Sequence, residues 1–134
     1  MKRWQTCLRR MAGVAALLAA LCLASAGCSG GESAPPYTVS TGGDSVQGKA
    51  VIESKGCGAC HVIPGIGEAR GLVGPPLFFF SRRTMIAGEL PNTSDNLVRW
   101  ILDPKQVEPG TAMPDLGLTD QQARDVAAYL YTLK

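Results

Sequence analysis

Histidine is nearly absent: His61 is the only one in 134 residues. A site built from two imidazoles is therefore excluded, and any acid–base group besides His61 would have to be a carboxylate. Acidic residues are missing from the start of the chain, the first being Glu32. Lys and Arg never cluster into the basic face that nucleic-acid binders carry, so nucleic acid is excluded as a partner. Strict apolar–polar alternation is missing as well, which argues against a β architecture. The apolar run Met11–Leu23 falls short of the roughly 20 residues that a membrane-crossing helix needs.

That run has another use. Lys2, Arg3, Arg9 and Arg10 precede it, and together they read as a signal peptide over residues 1–27. Two processing routes are open. Ala24-Ser25-Ala26 suits a small-residue cleavage site, which would release a chain beginning at Gly27. Ser25-Ala26-Gly27-Cys28 resembles the lipobox of bacterial lipoproteins, in which Cys28 becomes the lipidated residue. A free Cys28 would be an exposed thiol in an oxidising compartment, so lipidation and a membrane anchor are the expectation. The protein is then exported to the periplasmic side of a bacterial membrane. Loss of residues 1–27 takes four of the thirteen Lys/Arg and none of the eleven Asp/Glu, turning the formal +2 into −2. Residues 28–43, rich in Gly, Ser and Pro, read as a flexible linker spanning on the order of 20 Å. Residues 44–134 make one small domain.

The chemistry concentrates in Cys57-Gly58-Ala59-Cys60-His61. This is the attachment pattern of a c-type haem. Cysteines three apart lie on one side of a helical turn, so both sulfurs can reach the two vinyl groups on one haem edge. The histidine that follows brings its imidazole beneath the ring, to the iron. Random placement of five Cys and one His produces the pattern with odds of about one in a thousand. A thioredoxin-like pair would need a βαβ context, and a zinc site would need two further ligands nearby; neither is present. Cys7 and Cys22 leave with the signal, so no pair remains for a structural disulfide.

Three helices are expected. The first runs from Asp44, with Gln47 as its capping-box partner, through Val46, Ala50, Val51 and Ser54 to Cys57. The second follows Asn92-Thr93, carries Leu97, Trp100 and Ile101, and stops near Asp103, because Pro104 disfavours helix in the residue before it. The third opens on the capping box Thr119-Asp120-Gln121-Gln122, and Ala123, Val126, Ala127 and Leu130 recur on one face. Gly65, Gly67, Gly71, Gly74, Pro75 and Pro76 suit a loop wrapped around a cofactor. The expected fold is all-α, three main helices and long loops around one covalently bound haem.

The iron's second axial position must go to Met, Lys, a weaker oxygen ligand or nothing. Only Met85 and Met113 survive signal removal. Met113 sits in Pro109-Gly110-Thr111-Ala112-Met113-Pro114, a loop whose prolines can hold a thioether in place without regular structure. Met113 is the expected ligand, and Met85, beside Ile86, is expected to pack in the core.

From about Asp44 to Lys134 the chain resembles class I cytochrome c domains, through Cys57–His61, Gly74-Pro75-Pro76-Leu77, Pro109–Pro114 and the terminal Ala128-Tyr129-Leu130, in that order. Leu90-Pro91-Asn92-Thr93 and Leu97–Pro104 bring it close to the small cytochromes c that accompany haem–copper terminal oxidases. The resemblance implies that the Pro75 carbonyl accepts a hydrogen bond from His61 and that Arg83 binds a haem propionate. It implies that Trp100 either donates its indole N–H to a propionate or packs in the core. It also implies that Gly48 lets the first helix cross the last beside Tyr129. Phe78-Phe79-Phe80 departs from the family's usual residues after Pro-Leu, and buried packing is expected there, an apolar docking patch being the alternative.

The expected function is single-electron transfer in a respiratory chain, from a quinol-oxidising complex to a terminal oxidase, with no small-molecule substrate and no catalysis. A haem-based gas or redox sensor, or a peroxidase-like enzyme, would need a labile Met113. The enzyme would also need a distal base that a chain with one histidine can supply only as a carboxylate.

Overall fold

A computed structural model of the chain describes residues 39–134. The expected signal peptide, Cys28 and the linker up to residue 38 lie outside the described residues.

Local capping chemistry sets each helix start. Helix α1 is Ser45–Ser54, and Asp44 Oδ1 accepts from the N–H groups of Val46 (2.7 Å) and Gln47 (3.0 Å). It ends one turn before the expected limit at Cys57. Gly56 takes the left-handed conformation at φ 70°, which stops a helix at little cost for glycine. Cys57–Ala59 then forms a separate 3₁₀ turn. Helix α2 is Ser94–Leu102, capped by Thr93 and closed at Asp103. Pro104 does more than end it. It opens a further single turn, α3, Pro104–Val107, where its missing N–H has no partner to lose, and Asp103 Oδ1 caps the turn through Gln106 N at 3.0 Å. Helix α4 is Asp120–Thr132, and both halves of the capping box form: Gln122 N donates to Thr119 Oγ1 (3.2 Å) and Thr119 N to Gln122 Oε1 (3.0 Å).

One element has no alternating signature in the sequence. Met85–Ile86 (β1) and Leu90–Pro91 (β2) form an antiparallel hairpin, with Ile86 opposite Leu90. Two-residue strands are too short to show a period of two.

The core lies where α1 and α2 meet α4. Ala123 and Ala127 are fully buried, with Val126 and Leu130 beside them on the same face. Ile52 comes to this core from α1, and Leu97, Val98 and Ile101 from α2. Each buried Leu or Ile contributes about 1.5–3 kcal/mol relative to exposure. Helices α1 and α4 cross backbone to backbone at Gly48, where a Cβ would overlap the Asp125 carbonyl. The buried Asp125 is satisfied by Asp44 N (2.8 Å) and Gln121 Nε2 (2.9 Å), both reaching Oδ1. The last residues of the expected linker also join this packing. Thr41 is buried, its carbonyl accepts from Arg124 Nη1 (3.2 Å), and the Gly42 carbonyl accepts from Gln121 Nε2 (3.2 Å).

Candidate cofactor site

A cavity of about 610 Å³ opens between the Cys57–His61 turn, the 73–77 loop, the hairpin, α2 and the Thr111–Leu116 loop. Its walls are mostly apolar, with a few polar groups set into them.

The Cys57–His61 turn is pinned from behind. Gly71 N donates to the Gly58 carbonyl (3.0 Å), and Gly58 lies so close to Ala69 that a Cβ would sit 2.7 Å from its Cα. Cys57 and Cys60 are free thiols, half-buried, and both line the cavity. Burial pushes the Cys57 thiol up from its ordinary value, and the neighbouring Cys60 adds to the effect. Among the described residues no group of three or more His, Cys, Asp or Glu converges on a metal-ion site.

His61 has a fixed tautomer. Its Nδ1 lies 2.8 Å from the Pro75 carbonyl, which can only accept, so Nδ1 carries the hydrogen, and in the neutral ring the lone pair is on Nε2. The ring has almost no room on one side, since a Cβ at Gly74 would overlap it, and Gly74 N is tied to the Cys60 carbonyl at 2.8 Å.

Arg83, Trp100 and Met113 line the same cavity. Arg83 Nη2 donates to the Pro76 carbonyl, and its guanidinium lies over the Phe80 ring, 5.3 Å from the centroid. Trp100 is half-buried on α2, facing the cavity and also packing against the core. Met113 N donates to Thr111 Oγ1 (3.2 Å), and Lys55 Nζ ties the following residues to the end of α1 through the Leu116 carbonyl (3.2 Å). The seven expected residues, Cys57, Cys60, His61, Pro75, Arg83, Trp100 and Met113, are thus brought together by five separate stretches of chain.

Two expectations are corrected. Met85 is not core: it is 43% exposed, at the edge of the cavity, because a two-residue strand leaves its outward side chain uncovered. Only Phe80 of the three phenylalanines is buried, edge-on to Tyr131 at 6.0 Å, whereas Phe78 and Phe79 are 47% and 56% exposed. Phe79 takes the left-handed conformation (φ 54°), which turns the chain there. Sequence reasoning missed Glu108 and the hairpin tip at Ala87 and Gly88 as cavity walls. No local pattern could have found the tip, which arrives by packing. Glu108 carries a weak signal, a lone acid directly before Pro109–Pro114.

The volume is within the roughly 300–1,000 Å³ of cofactor pockets, and a thiol pair, an imidazole with a free Nε2 and a thioether fit a covalently held haem. Residues 45–134 match the profile of the cytochrome c family. The chain belongs to that family, whose members carry haem and transfer electrons. This cytochrome is 40% identical over 91 residues to cytochrome c oxidase subunit 2 of Alkalihalophilus pseudofirmus, a match covering 66% of this chain and 25% of that protein. It is 34% identical over 92 residues to the subunit of the same name from a Bacillus species, covering 66% and 26%. A cytochrome c of Theileria parva is 34% identical over 107 residues, covering 71% of this chain and 90% of its own length. The chain therefore spans about a quarter of the oxidase subunits that it matches.

Proposed function

We propose that this cytochrome is a monohaem c-type electron carrier that delivers single electrons to a haem–copper terminal oxidase. The observation that carries the reading is the convergence of Cys57, Cys60, His61 and Met113 on one cavity. Cys57 and Cys60 would form the two thioethers, and His61, through Nε2, and Met113 would bind the iron. Haem, when bound, supplies a one-electron couple, and thioether ligation favours a higher potential than two nitrogen ligands. The residues do the rest. Pro75 holds the imidazole orientation, Arg83 would meet a propionate, Trp100 would either donate to a propionate or pack in the core, and the apolar walls would keep water from the iron. With His61 and Met113 both as ligands, the protein would leave the iron no open site for a substrate.

The oxidase as acceptor is supported by the similarity to two proteins named cytochrome c oxidase subunit 2. A quinol-oxidising complex is the matching donor, and docking is brief, through an interface under about 1,200 Å². Export through residues 1–27 and lipidation at Cys28 keep the carrier at the periplasmic face of a membrane.

The test is the optical spectrum of the reduced holoprotein before and after carbon monoxide. An unchanged spectrum is expected, from an iron closed by His61 and Met113. Rapid, complete binding would sink the carrier reading and favour a gas sensor or a peroxidase-like enzyme. Mass spectrometry of the mature N-terminus checks the anchor, and an unmodified chain beginning at Gly27 would refute it.

A further inference from the structure

Most charged side chains of the domain lie away from the cavity. Of the residues that line it, only Arg83 and Glu108 bear full charges. Arg83 is engaged by the Pro76 carbonyl and the Phe80 face. Glu108 has no such compensation. The one ion pair among the described residues is Arg124–Asp120, so none of their cations stands within salt-bridge distance of the Glu108 carboxylate. Lys105, on the preceding turn, is exposed, and Asp103 is committed to the cap of α3. Asp115, beyond Met113, is turned onto Gly117 N at 2.8 Å.

The carboxylate is nevertheless held still. Glu108 N donates to the Pro104 carbonyl (2.9 Å), Thr111 N to the Glu108 carbonyl (3.0 Å), and Gly110 N to Glu108 Oε1 (2.8 Å). The backbone bonds fix the turn and the Gly110 bond holds the half-buried carboxylate, so a negative charge stands at the base of the loop that carries Met113, on the wall of a mostly apolar cavity.

We propose that the Glu108 carboxylate is a potential-setting charge for the cofactor held in this cavity; this rests on the haem reading above. Oxidation leaves one more positive charge on the iron, and a fixed, half-buried anion on the cavity wall stabilises that state over the reduced one. Glu108 therefore lowers the reduction potential, opposing the rise that thioether ligation favours, and Arg83 is its cationic counterweight in the same wall. A charge in open solvent would be screened within about 8–10 Å and would have little effect.

Spectroelectrochemical titration of the full-length holoprotein tests this, with Glu108→Gln, Glu108→Asp and Glu108→Ala compared with Glu68→Gln, an exposed carboxylate off the cavity. Gln keeps an oxygen for Gly110 N–H and removes only the charge. Glu108→Gln and Glu108→Ala should both shift the midpoint to more positive potential, Glu108→Asp should stay near the parent, and Glu68→Gln should not move it. A Glu108→Gln midpoint equal to that of Glu68→Gln would overturn the proposal. A shift in Glu108→Ala alone would also overturn it, since the loop bond and not the charge would then be responsible. A parent protein without any reversible haem couple would remove the haem reading itself, and that outcome is seen before any variant is made.

Discussion

Replacing Gly48 by alanine sets two opposing effects against each other on one atom. Alanine is favoured over glycine inside a helix by about 1 kcal/mol, so propensity alone predicts a stabler α1. The added Cβ, however, would overlap the Asp125 carbonyl and sit 3.1 Å from Tyr129 Cβ. The first obstacle is backbone, which cannot rotate aside as a side chain can, so α1 and α4 must separate. Overpacking of this kind typically costs about 1–3 kcal/mol, and a backbone obstacle places it at the upper end. The separation also stretches the Asp44 N–Asp125 bond (2.8 Å) and the Tyr129 Oη–Pro64 carbonyl bond (2.7 Å), each worth roughly 1 kcal/mol. The net expectation is a loss of about 2–4 kcal/mol. A domain of this size loses roughly 4–8 °C in Tm per kcal/mol, so thermal unfolding followed by circular dichroism should shift down by about 8–30 °C. Ala50→Gly, at an exposed position of the same helix, isolates the propensity effect and should cost about 1 kcal/mol. A Gly48→Ala protein as stable as the parent would show that the helices do not meet backbone to backbone.

Three further outcomes are expected. Asn92→Ala should cost about 2–4 kcal/mol in denaturant unfolding, because Asn92 joins the Phe80 and Arg83 carbonyls to the Tyr131 hydroxyl; a loss under 1 kcal/mol would refute that linkage. Burial raises the Tyr129 and Tyr131 hydroxyls above 10.0, with Glu53 adding to the rise at Tyr129. The neutral phenols thus contribute stability that is complete below pH 10 and is lost as pH rises through the folded-state values; Tm measured from pH 7 to 12 should fall only above about 10, and less steeply in Tyr131→Phe. Gly74→Ala should push the His61 ring off the Pro75 carbonyl and reduce the yield of haem-loaded protein, while Gly67→Ala, with open space at its Cβ, should not; equal yields would argue against the tight seat of the imidazole.

Much of the helical framework was legible before any coordinates. Thr119 with Gln122, Thr93, Asp44 and Pro104 mark helix ends through bonds that reach only two to four residues, so a short window of sequence contains both partners. The seven residues expected at the site also lie together. What was misread depends on exposure. Met85, Phe78 and Phe79 are apolar, and the sequence assigns such residues to the interior, but whether a chain segment has a neighbour above it is not written in its own composition. Likewise Gly56, and not the cysteine motif, decides where α1 stops, because the left-handed turn must reorient Cys57 towards the cavity.

The amino-acid sequence by itself determined the cysteine–histidine spacing, the helix caps and the apolar stripe of α4, all set by bond reach and helical periodicity over a few residues. The family resemblance pointed to the Gly48 crossing and the Pro75–His61 bond; only the tertiary structure decided that Gly74 walls in the His61 ring, that Phe78, Phe79 and Met85 stay exposed, and that Glu108 stands on the cavity wall with no ion-pair partner among the described residues. Those relations join residues far apart in the chain. They follow from which faces pack together, a choice made by the burial of the whole domain and not by any one segment.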